Sequence, residues 1–140
     1  MSASREDIVA EAKTWLGTPF HHCADVKGAG VDCAMLLVRV YCDLGIAPMF
    51  DPRPYKPQWH MHSSEARYLG WLQKYAREIS ADQVQPGDVA LFNFGKHAAH
   101  GAIIIDEHSM LHAYLPAGAV IMTSRDEIAG HLHSYWSPFA

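Results

Sequence analysis

The apolar positions of the chain change pattern part-way along: up to about residue 79 they recur at helical spacing, and from residue 89 onward they fall into short strand-like segments. Residues 4 to 16 carry Ile8, Ala12, Trp15 and Leu16 on one stripe, with Ser4 placed as N-cap and Gly17-Thr18-Pro19 as the stop. A second helix is predicted from Cys33 to Leu44, with Asp32 before it and Gly45 after it. It is apolar nearly all round, and its only charges, Arg39 and Asp43, stand four apart, which marks it as the buried central helix. A third helix is predicted over 64 to 79, with Leu69, Leu72, Ala76 and Ile79 on one face. Residues 20 to 30 and 46 to 62 show no period and read as loops, the first broken by Asp25, Gly28 and Gly30, the second by Pro48, Pro52, Pro54 and Pro57.

After Pro86-Gly87-Asp88 come strand-like segments at Val89 to Phe94, Ala102 to Asp106, Met110 to Leu115, Val120 to Thr123 and Leu132 to Trp136. Short turns between them favour antiparallel pairing. Helices first and strands afterwards give an α+β class, with the central helix packed on a C-terminal antiparallel sheet.

Composition narrows the function. A chain of 140 residues, 49% hydrophobic, fits one domain over 1–140 with a single core. A net charge of -4 without any Lys/Arg run argues against nucleic acid or an anionic membrane as partner. Arg5, Glu6 and Asp7 precede any apolar stretch, so neither a signal peptide nor a transmembrane segment is expected, and synthesis in the cytoplasm is. Three cysteines, Cys23, Cys33 and Cys42, are an odd count that points to free thiols.

Cys33 opens the central helix directly after a capping Asp. Exposed N–H groups and the positive dipole end of a first helical turn favour thiolate, so a lowered thiol pKa is expected there. A cysteine nucleophile needs a base and a group that orients the base. His100 and His112 are twelve residues apart, and a turn near Asp106-Glu107 would set residue 100 opposite 112 or 113. Cys33, His100 and His112 then read as nucleophile, base and orienting residue, while Cys23 and Cys42 read as structural. The clusters His21-His22-Cys23 and His60/His62 have spacings that can bind a metal, but neither carries a Cys-x-x-Cys or His-Glu-x-x-His pattern, and thiol chemistry needs no cation. No metal and no cofactor are expected.

These residues resemble the NlpC family of papain-like cell-wall peptidases. The matching motifs are Gly30-Val31-Asp32-Cys33, Pro86-Gly87-Asp88, His100-Gly101-Ala102-Ile103 and His112-Ala113, and the likeness runs from about Trp15 to Tyr114. The stretch from Tyr55 to His62, with Tyr68-Leu69, resembles the subgroup found with phage tail genes. The resemblance implies a D,L-endopeptidase that cuts peptidoglycan stem peptides between γ-D-glutamate and a diamino acid, through a thioester on Cys33. It also implies phage tail-tip proteins as partners, and a place in the virion tail with action on the wall in the periplasm. Phe20, His22 and Asp32 are the residues expected to line the substrate.

Two positions depart from the family pattern. Many relatives carry a Tyr hydroxyl near the oxyanion site where this chain has Phe20, with His22 as the candidate replacement; Ala34 stands where a Ser often follows the nucleophile. The oxyanion hole is therefore expected to rest on the backbone N–H of Cys33, and one lost donor costs about 10²-fold in rate. The alternative readings are a structural tail-tip component with relic residues, or an amidase or acyltransferase on the same scaffold.

Overall fold

A computed structural model describes residues 3–53, 67–94 and 97–139. The chain begins with α1 (Arg5–Lys13), which Ser4 starts through a capping box: its side chain accepts from the Asp7 N–H while Asp7 accepts from the Ser4 N–H. α1 ends at Lys13, short of the predicted Leu16, because Thr14 to Gly17 close as turns. The predicted loop 20–30 contains a small antiparallel ribbon, β1 (Asp25–Val26) with β2 (Gly30–Val31), and a bridge from Phe20 to Val31. Two-residue strands are too short to leave a period in the sequence.

The central helix α2 (Cys33–Asp43) forms where predicted. Asp32 caps it, extended at φ -108° and accepting from the Met35 N–H at 2.9 Å. Eight of its side chains are buried, from Ala34 to Cys42, each fully covered Leu or Val worth about 1.5–3 kcal/mol over an exposed one. The Arg39–Asp43 pair forms at 3.4 Å, and Arg39 also faces Asp25 of β1 at 3.9 Å.

The third predicted helix is two elements. α3 (Arg67–Tyr75) ends at Tyr75, and Arg77–Ile79 is a strand, β3, so Ile79 belongs to a sheet edge and not to a helical stripe. Residues 64–66 lie outside the described residues. Then follow β4 (Val89–Phe94), β5 (His97–Ile104), β6 (Ser109–Tyr114), β7 (Ala119–Ser124) and β8 (Leu132–Ser137). They form one antiparallel sheet in the order β3-β8-β4-β5-β6-β7. Helices on an antiparallel sheet give the expected α+β, papain-like class.

The apolar interior is double, not single. One cluster joins α1, α2 and the sheet through Ile8, Met35, Leu36, Leu91, Ile103 and Leu111; a second holds Ala90, Phe92, Ala102, Ile104, Met110 and Ile128. The alternation along β4 and β5 sends odd positions to the first and even positions to the second. The turn at Pro86-Gly87-Asp88 fastens the sheet to α1. Gly87 is left-handed at φ 90°, and a Cβ there would meet Ile8 Cδ1 at 3.1 Å, so the turn requires glycine. Asp88, fully buried, takes an ion pair from Arg5 at 2.7 Å and the Gln85 N–H at 2.9 Å; the Tyr41 hydroxyl donates to the Gly87 carbonyl at 2.8 Å. Among the described residues, no helix is long and apolar enough to cross a membrane.

Candidate active site

The site is built where the sheet splits. Among the described residues β5 pairs with β6 only at Ile103↔Leu111 and Ile104↔Met110, and continuing that register would set residue 100 opposite 114, not opposite 112 or 113 as the turn position suggested. The hairpin is longer by the turn at 105–108, where Ile105 and Asp106 donate to the Ser109 carbonyl. The rings of His100 and His112 nevertheless meet, Nε2 to Nδ1 at 2.8 Å, because the strands have stopped pairing and leave room for imidazoles to cross between them.

Cys33 enters the same gap. Ile104 donates its N–H to Asp88 on the β4 side, so by the alternation of an antiparallel ladder the N–H of Gly101 faces β6. With the β5–β6 ladder already ended, that N–H bonds the Cys33 sulfur instead. The nucleophile candidate thus lies against the backbone of the residue next to His100. Gly101 has no side chain to obstruct the approach of a helix end to the strand.

The electrostatics differ from the sequence expectation. Burial pushes the Cys33 thiol up to about 12, and the neighbouring Asp32 carboxylate pushes the same way. The N–H groups of Gly101, Ala34 and Cys33 itself pull downward but do not prevail. The thiolate-favouring effect of the helix start is present and is outweighed by desolvation. Burial, with His112 close by, lowers His100 to about 3, and burial lowers His112 to about 4. At neutral pH the resting site is a neutral thiol beside two neutral imidazoles.

Thr123, on β7, is a site residue that the sequence did not reveal. Its Oγ1 lies 3.0 Å from His112 Nε2, so His112 has a partner on each ring nitrogen. Tyr114 stacks on His112 at 4.8 Å between centroids and lies 5.8 Å from His100, while Phe92 flanks His100 at 6.2 Å. A lone Thr in an alternating strand gives no sequence signal of this contact.

The three residues expected to line the substrate surround the start of α2. Phe20 is half-buried against the first core cluster, and its N–H donates to the Gly118 carbonyl at 2.8 Å. His22, half-buried, approaches the Asp32 carboxylate with Nδ1 at 4.0 Å. Asp32 is buried with both oxygens on backbone donors, Oδ1 on Met35 and Oδ2 on Cys23 at 2.8 Å. Cys42 lies buried in α2, whereas Cys23 stands at the rim beside His22. Of the metal-capable spacings, His60 and His62 lie outside the described residues, while His22 and Cys23 are joined by Asp32.

The fold, with the helix that Cys33 opens packed on an antiparallel sheet, is shared with known proteins. The NlpC/P60 family model matches residues 17–138. The chain belongs to the NlpC/P60 family. Solved structures of NlpC/P60 proteins agree with the fold. The NlpC/p60 domain of the peptidoglycan hydrolase SagA is 24% identical with a TM-score of 0.66, over 96% of this chain and 99% of that one. An NlpC/P60 family protein from Bacillus cereus is 18% identical with a TM-score of 0.70, over 96% of this chain and 40% of that one. The peptidoglycan hydrolase RipB from Mycobacterium tuberculosis is 17% identical with a TM-score of 0.63, over 95% of this chain and 63% of that one. The chain therefore spans nearly all of the first structure and less than two thirds of the other two. No curated protein matches the chain.

Proposed function

We propose that this NlpC/P60 domain is a cysteine peptidase that hydrolyses peptidoglycan stem peptides, acting on the γ-D-glutamyl to diamino acid bond. The observation that carries the reading is the gap between β5 and β6, which holds the Cys33 sulfur on the Gly101 N–H and the His100–His112 hydrogen bond together. SagA and RipB, its structural neighbours, are peptidoglycan hydrolases.

In this reading the Cys33 sulfur attacks the scissile carbonyl as its proton passes to His100. Proton transfer and attack are coupled, since the resting thiol is neutral. His112 orients His100 through the 2.8 Å bond. Asp32 occupies the Met35 N–H, and the N–H groups of Cys33 and Ala34, which face the sulfur, are the donors for the oxyanion. Collapse of the tetrahedral intermediate breaks the C–N bond, and His100 returns the proton to the leaving amine. Water, deprotonated by His100, then cleaves the thioester. Association with a phage tail is part of the proposal through the resemblance of the 55–62 stretch, and would supply the delivery to the wall.

The test is mass spectrometry of muropeptides after digestion of purified peptidoglycan. The proposal predicts products with a free diamino acid amine and a free γ-D-glutamyl carboxyl. Products cut at the sugar–lactyl amide would make the domain an amidase instead. An unchanged profile would leave the structural reading.

A further inference from the structure

We infer that His22, Cys23 and Asp32 form a binding site for one soft divalent cation of the zinc type, at the start of α2 beside Cys33. The imidazole, thiol and carboxylate of these residues offer ligand atoms that all lie within 4.8 Å of one another. Cys23 Sγ is 3.2 Å from His22 Nε2; the other ring nitrogen, Nδ1, lies 4.0 Å from Asp32 Oδ2, and a single ion takes one of the two. Zinc bonds of about 2.0–2.3 Å in tetrahedral array place neighbouring ligand atoms a little over 3 Å apart, so small side-chain rotations complete the set. Three protein ligands leave one coordination position for water or an incoming group, the open form of zinc site. Thiolate and imidazole together select zinc over magnesium or calcium.

Two features of the loop go beyond what a cap requires. Cys23 holds φ 61°, the only positive φ of a non-glycine among the described residues, a conformation that is costly for an L side chain. In that conformation its N–H reaches Asp32 Oδ2 while its sulfur turns to His22. The loop is further held from outside by Arg53, which donates to the Cys23 carbonyl at 3.1 Å and pairs with Asp25 at 3.0 Å. The Asp32 carboxylate is oriented by N–H groups on both oxygens, the outer-shell support that metal-ligating carboxylates carry. Binding exchanges the Cys23 S–H bond for an S–metal bond and releases one proton to solvent.

The test is a titration of the full chain with Co²⁺ as a spectroscopic stand-in for Zn²⁺, under non-chelating reductant. The expected result is a sulfur-to-cobalt charge-transfer band that saturates at one equivalent and is displaced by Zn²⁺. It should disappear in Cys23→Ser, persist in Cys33→Ala, and require at least tenfold more Co²⁺ in His22→Gln. No band in the wild-type protein would overturn the inference, and that outcome does not depend on any variant folding. A band that survives Cys23→Ser, or vanishes with Cys33→Ala, would also overturn it by moving the metal onto another thiol. The readout is independent of turnover, so failure of the peptidase reading leaves it standing.

Discussion

His112 stands between two partners, His100 at 2.8 Å on Nδ1 and Thr123 at 3.0 Å on Nε2, so the hydroxyl on β7 bears on the protonation of a ring two strands away. For His100 to act as base through Nδ1, Nε2 must carry the proton and donate to His112 Nδ1. His112 then carries its proton on Nε2 and donates to Thr123 Oγ1. Thr123→Val removes that acceptor and favours the opposite tautomer of His112. The expected outcome is a fall in kcat of about tenfold with KM little changed, and recovery in Thr123→Ser, measured by steady-state cleavage of a muropeptide. Equal activity of the valine and serine variants would remove Thr123 from the relay.

The buried histidines make stability depend on pH. Each takes up a proton near 6.5 when unfolded but only near 3 (His100) or 4 (His112) when folded, so the unfolded state binds more protons between those limits. Stability is fully present above pH 6.5 and falls as the pH drops toward 4, by about 1.4 kcal/mol per pH unit for each ring. Urea denaturation between pH 7 and 4.5 should show this slope, and His100→Gln should show a shallower one.

The Cys33 thiol sets the third expectation. Raised from 9.0 to about 12, it carries roughly a thousandfold less thiolate at neutral pH than an ordinary cysteine. Iodoacetamide should therefore label Cys33 slowly in the free protein, with a rate that climbs steadily from pH 6 to 9. A plateau at low pH would show a preformed thiolate–imidazolium pair. Slow labelling is thus no sign of a relic site, and turnover must decide that question.

Local features of this protein were legible in the sequence and distant ones were not. Asp32 and Cys33 announce the start of α2 because capping involves neighbours only, and Val89 to Phe92 is apolar throughout because its two faces meet two cores. Ile79 fits a helical stripe as well as a strand; its conformation is decided by pairing of β3 with β8, Ile79↔Tyr135, across more than fifty residues. The split between β5 and β6, the place of Thr123 and the approach of Cys23 to Asp32 are likewise products of packing. The direction of the Cys33 shift was missed for the same reason: the helix dipole is visible in the sequence, and burial is not.

Arg5 and Asp88 join the two ends of the fold. Asp88→Ala leaves the Gln85 N–H and the Arg5 guanidinium without their carboxylate partner in a half-buried setting. A loss of about 2 kcal/mol is expected, below the range for fully buried pairs because Arg5 is partly in solvent. Urea unfolding should show a lower midpoint at unchanged slope.

Peptidase chemistry here depends on the sulfur in the β5–β6 gap, and the most direct measurement is release of soluble fragments from purified peptidoglycan by wild type and Cys33→Ala at matched thermal stability. Digestion by the wild type and loss of at least a thousandfold in the variant are expected. Digestion by Cys33→Ala at a rate near that of the wild type would contradict that dependence.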